Sequence, residues 1–179
     1  MITAILFWAA SALFGTALSR KFIEENKALA LIAGCVFGTF AATLLVFILS
    51  LGIGLSEATI LFSTALILLA FFIFLQPRDY FNWVKKPGRE KLDLALLAVF
   101  FIALIFFGLL NANADLKTGS EGYYSSGSTW GDLPFHASLI TFFTQQVKLE
   151  YPIFAGHALG YYFGFDFLSS TLVKGGMEL

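Results

Sequence analysis

Charge is scarce in this sequence. Only 13% of its 179 residues are Asp, Glu, Lys or Arg, where a soluble domain carries about 25%. That scarcity argues against a water-soluble globular enzyme and against a disordered tail. Neither sign dominates: 11 basic residues face 12 acidic ones, a net of −1, so no nucleic acid is expected as a partner. Cysteine is almost absent. The single thiol, Cys35, lies in an apolar run and reads as a small buried hydrophobe that cannot close an internal disulfide. Cations are missing ahead of the first apolar run, so that run lacks the n-region of a signal peptide and reads as a span.

What the chain does have is apolar residues. They make up 58% of it, 22 of them Phe, and its mean hydropathy is +0.81. Four runs, Ile2–Leu18, Ala28–Leu51, Ala58–Leu75 and Leu92–Leu110, have the length that a bilayer crossing requires. In the fourth, each Leu, Ile, Phe or Val contributes about −0.3 to −0.6 kcal/mol at mid-membrane, against one terminal acid, Asp93. Arg20, Lys21 and Lys27 follow the first run; Arg78, Lys85, Lys86, Arg89 and Lys91 follow the third. Cations in short loops stay cytoplasmic. Loops 19–27 and 76–91 are therefore expected in the cytoplasm and the segment 111–157 outside, in a plasma membrane. Ala30, Gly34, Gly38 and Ala42 recur at four-residue spacing, a stripe that lets another helix approach closely. Tyr80–Trp83 beside Lys85 and Lys86 reads as an interfacial anchor.

The character changes after Leu110. Residues 111–131 are polar and rich in Gly, Ser and Tyr, a long loop of the kind that is functional or disordered. Asp132, followed by Pro134, has the pattern of a helix start. From Phe135 to Lys148 the spacing is amphipathic, with Phe135, Leu139, Ile140, Phe142, Phe143 and Val147 on one arc. A helix this polar is expected at the membrane interface. His136 falls on the apolar side, as a core histidine with one hydrogen-bond partner or as a group pointing into a pocket. Pro152 ends the helix, and Gly156, Gly160 and Gly164 follow. A fifth membrane helix is expected from about Ala158. Its Tyr162, Asp166 and Ser169 or Ser170 would form a polar stripe, and an acid within a membrane helix reads as functional.

The run Trp130-Gly-Asp132-Leu-Pro-Phe-His136, then Tyr151-Pro-Ile-Phe-Ala-Gly156, Tyr161-Tyr162 and Asp166-Phe167 resembles the first external loop of GT-C-type membrane glycosyltransferases. It is closer still to the large prokaryotic membrane proteins grouped with them. The resemblance covers about residues 130–175. It implies transfer of a sugar from a polyprenyl-phosphate-linked donor on the external face. By that resemblance Asp132 is a catalytic base or metal ligand, and His136 contacts the phosphate or acceptor. Trp130, Tyr161, Tyr162, Asp166 and His157 would line the substrate site. Three departures matter: three spans precede the matched helix, no second acid adjoins Asp132, and such enzymes usually have eight or more spans. The chain is accordingly expected to be the front part of one.

The expected fold is an all-α polytopic transmembrane bundle of about five spans. Residues 1–110 would form four transmembrane helices, 111–157 an external loop with its amphipathic helix, and 158–179 the start of a fifth helix. Sugar transfer needs a base for the acceptor and stabilisation of the leaving phosphate, at a place where a lipid tail meets a water-soluble acceptor. A divalent metal on Asp132 and His136, with His157 and Asp166 as further ligands, is a second use of the same groups. A transporter or channel component and a non-catalytic membrane subunit are the alternatives. A transporter would place its acids at mid-bilayer.

Overall fold

A computed structural model describes residues 1–23, 26–75, 77–85, 91–114, 117–119, 122–124 and 132–177. Within them the chain is mostly helical. Helices α1 (Ile2–Ser19), α2 (Lys27–Ile53) and α3 (Glu57–Phe74) are each long and apolar enough to cross a membrane. A helix rises 1.5 Å per residue, so the 18 residues of α1 reach about 27 Å, close to the hydrocarbon thickness of a bilayer. Large apolar side chains such as Trp8, Phe37, Phe40, Ile48, Phe62 and Phe72 lie on the outside of this bundle. Water would penalise such a surface, whereas lipid tails solvate it.

Small residues bring α1 and α2 together. Ala30, Gly34, Gly38 and Ala42 are all buried. A Cβ added to Gly38 would overlap the Ser11 carbonyl, and one added to Gly34 would overlap the backbone of Gly15 and Thr16. The expected stripe is thus the α1–α2 contact. Several hydroxyls in the bundle turn to their own helices: Ser11 donates to the Phe7 carbonyl (2.6 Å), Thr43 to that of Thr39 (2.8 Å) and Ser63 to that of Thr59 (2.8 Å). These bonds satisfy the hydroxyls without water. Asn26 caps α2 by accepting from the Leu29 N–H (2.8 Å), and Ser56 caps α3 by accepting from that of Thr59 (3.2 Å). Such caps satisfy first-turn donors that a helix cannot pair internally.

The two ends of the bundle differ. At one end, Lys21 Nζ donates to the Phe74 carbonyl (3.1 Å) and Lys27 Nζ to that of Val84 (3.3 Å). The short helix α4 (Pro77–Lys85) lies here. Its Trp83 is buried with the Lys27 ammonium 5.4 Å from the ring centroid. Helix α5 (Lys91–Ala114) then returns along α2. The expected fourth span, 92–110, falls inside α5, whose described side chains are apolar from Leu94 to Phe106.

The other end carries Met1, the α2–α3 turn, α6 and α7. A short hairpin, β1 (Lys117–Gly119) with β2 (Gly122–Tyr124), pairs Thr118 with Tyr123. Helix α6 (Asp132–Gln145) packs on α7 (Gly164–Lys174), and α7 packs on α1 and α2. Between them, β3 (Glu150–Tyr151) and β4 (Phe154–Ala158) form a second hairpin. The Met1 ammonium donates to the Gly175 carbonyl (2.8 Å), as does the Ala4 N–H (3.3 Å), while the Thr3 hydroxyl donates to Glu57 of α3.

Several expected boundaries move. The loop expected from residue 111 begins after Ala114, because α5 continues to that residue. The fifth helix, expected from about Ala158, begins at Gly164. Residues 154–158 are taken by strand pairing with 150–151, and Gly156 has φ +82°, a conformation outside the right-handed helix. Tyr162 therefore precedes the helix, and the Tyr162–Asp166–Ser170 stripe is reduced to Asp166 and Ser170. Helix α7 has 11 residues, about 16 Å, roughly half of what a crossing needs. It caps the bundle end rather than spanning.

Candidate functional site

Helix α6 buries the arc that its spacing predicts. Leu139 and Phe143 are fully buried, and Phe135, Phe142 and Val147 pack against them. Phe143 meets Phe167 of α7 edge-on at 5.7 Å, and Phe47 of α2 meets the same ring at 5.1 Å. Edge-to-face rings at this spacing attract beyond their area burial. This aromatic cluster fixes α6 and α7 against the bundle, and with them the polar groups at their facing surfaces.

His136 is the principal polar group on that buried side. Its Nδ1 lies 2.8 Å from Oδ1 of Asp166. Asp166 is 4% exposed, whereas about a third of the His136 side chain (35%) remains accessible. One turn further along α7, the Ser170 hydroxyl is placed 3.0 Å from the Ile140 carbonyl and 2.6 Å from that of Asp166. Asp166 Oδ2 is buried and has no partner among the described residues. Burial pushes the Asp166 carboxyl above its ordinary value, and the hydrogen bond and charge of His136 oppose that rise. With Nδ1 held by the acid, the imidazole presents Nε2 as its working nitrogen, available to accept or donate a proton.

The other candidate residues are distributed unevenly. Asp132 is the first residue of α6, exposed, one turn before His136. An acid there is favoured by the helix dipole. The Tyr161 ring lies 5.8 Å from the imidazole and 5.0 Å from Phe135, so it belongs to the wall of the site. Tyr162, 93% exposed, and His157, exposed on β4, are not drawn into the dyad. Trp130 lies outside the described residues. Among the described residues, no group of three His, Cys, Asp or Glu side chains could hold a metal ion. The ligand set expected from Asp132, His136, His157 and Asp166 therefore does not assemble there.

Sequence reading placed His136 on the apolar face and Asp166 in the following helix but did not join them. The available signal was their complementarity: a histidine and an acid, each on a face that ought to be apolar, in helices separated by one turn-rich segment. A shallow depression of about 400 Å³, lined by Ala137, Ser138, Thr141, Phe142, Gln145 and Pro152, lies on a different face of α6 and excludes the dyad. No family model matches the chain, and neither the curated proteins nor the solved structures contain a match.

Proposed function

We propose that this chain belongs to an integral membrane glycosyltransferase of GT-C type, which transfers a sugar from a polyprenyl-phosphate-linked donor on the external membrane face. The observation that carries the reading is the grouping of Asp132, His136 and Asp166 at the bundle end opposite the cationic loops. A lipid-linked donor can reach that end from the bilayer while an acceptor reaches it from water. In this reading the cations at the far end mark the cytoplasmic side, with the grouping outside.

In this reading Asp132, exposed at the start of α6, takes the proton from the acceptor hydroxyl or amide as it attacks the sugar. The C–O bond to the carrier phosphate breaks, and the phosphate leaves with the electron pair. His136, held by Asp166, directs Nε2–H at the phosphate oxygens and stabilises their charge. Asp166 is a positioning residue. Its place on a short capping helix also weighs against a transporter, which would keep such an acid in a spanning helix near mid-bilayer.

The test follows labelled sugar from a polyprenyl-phosphate donor into acceptor in membranes containing the protein. Transfer is expected with the natural sequence and is expected to fall at least about 100-fold with Asp132→Asn, the scale of a lost general base, at equal protein level. Absence of any polyprenyl-dependent transfer with the natural sequence would sink the reading; unchanged transfer in the variant would remove Asp132 from catalysis.

A further inference from the structure

The cationic end of the bundle, remote from the dyad, carries a second surface. The apolar helices α1 and α3 stop at Ser19 and Phe74, and among the described side chains five cations follow: Arg20, Lys21, Lys27, Arg78 and Lys85. Lys21 and Lys27 are tied to backbone carbonyls around α4. The charge of Arg20 reaches the Tyr80 phenol, and Tyr80 in turn packs edge-on against Phe71 at 5.8 Å. The cations are thereby gathered about one short helix. The acids of the α1–α2 turn and of α4 are Asp79 and, in sequence, Glu24 and Glu25, so five cations face three acids. Between these cations stand exposed apolar groups, Phe22 at 82%, Phe81 at 50% and Val84 at 49%.

We propose that α4 and the α1–α2 turn form a docking surface for anionic phospholipid headgroups, with α4 lying along the bilayer surface. Charge complementarity selects an anion. The interleaved apolar groups select a lipid over an acidic soluble protein, since Phe22, Phe81 and Val84 need an acyl boundary to enter. Position agrees, because the surface begins where the spanning helices end, at headgroup depth. Buried Trp83 and half-buried Tyr80 hold α4 on the bundle, so its outer face is presented without a cost of ordering. Arg78 and Lys85 are exposed on α4, leaving them to meet the phosphates. This surface does not depend on the glycosyltransferase reading.

Each Lys or Arg near an anionic membrane surface strengthens association about fivefold. Native mass spectrometry of the full chain in detergent, titrated with phosphatidylglycerol or phosphatidylcholine, reads the effect. The natural sequence is expected to retain phosphatidylglycerol preferentially. Arg78→Gln with Lys85→Gln is expected to weaken that retention about 25-fold without altering phosphatidylcholine binding, and Phe81→Ser with Val84→Ser to weaken it as well. No preference between the two lipids, or a preference unchanged in the charge variant, would overturn the proposal. So would retention insensitive to the apolar variant, or a dimer of this chain that the charge variant dissolves irrespective of lipid. Circular dichroism verifies helix content. If the double charge variant misfolds, Arg78→Gln alone gives the decision at about fivefold.

Discussion

Asp166 is 4% exposed and depends on one neighbour, while its partner His136 keeps a third of its side chain in contact with the surroundings. The two halves of the dyad are therefore unequal. Removing the imidazole strands a buried carboxylate whose Oδ2 already lacks a partner among the described residues. Replacing the carboxylate by an amide removes a buried charge and keeps a hydrogen-bonding group of the same shape. His136→Ala is expected to cost about 1–3 kcal/mol, a buried-pair penalty reduced for the exposed imidazole. Asp166→Asn is expected to cost less. Denaturant unfolding of both variants in detergent checks the order; an equal or reversed order would show that the pair does not hold α6 to α7. Only half of this was legible beforehand. Periodicity marked His136 as out of place on an apolar arc and composition marked Asp166 as out of place near lipid. Their 2.8 Å contact depends on how the segment between them turns, and a Gly-rich, aromatic stretch such as residues 154–164 carries no strong period.

Among the elements, those that face lipid were the most legible. Helices α1, α2 and α3 begin and end within two residues of the apolar runs that predict them, because hydrocarbon solvates apolar side chains and a spanning backbone must satisfy its own hydrogen bonds. The segments after α5 lack that constraint. There a hairpin forms within the expected loop, and α7 starts late and stays short. The stripe on α2 is the most demanding element contact, since the backbones of Gly34 and Gly38 touch α1 with no space for a Cβ. Gly38→Leu is expected to force α1 and α2 apart, at a cost of at least about 1–3 kcal/mol. A lower thermal midpoint and faster proteolysis of the purified protein would show it; an unchanged midpoint would mean that the crossing is looser than described.

Across the whole molecule, the separation of ends is the feature with most consequence for function. Arg20, Lys21, Lys27 and α4 gather at one end, and Met1, α6 and α7 at the other. In a Cys35→Ala background, Asp132→Cys and Lys85→Cys are expected to react with a membrane-impermeant maleimide from opposite sides of sealed vesicles. Labelling of both from one side would break the bundle's alignment with the membrane and the proposed site along with it.

The bond from the Met1 ammonium to the Gly175 carbonyl joins residues 174 positions apart, and this gives the molecule a history. Helices α1, α2 and α3 meet partners close in sequence and can pack as soon as they are inserted. Helix α7 packs against α1 only after everything between has been made, and closing so long a loop is slow compared with forming local contacts. The His136–Asp166 pair joins residues only 30 positions apart, so it waits on the synthesis of α6 and α7 rather than on that closure. A chain stalled or misinserted midway would carry a membrane bundle but no site.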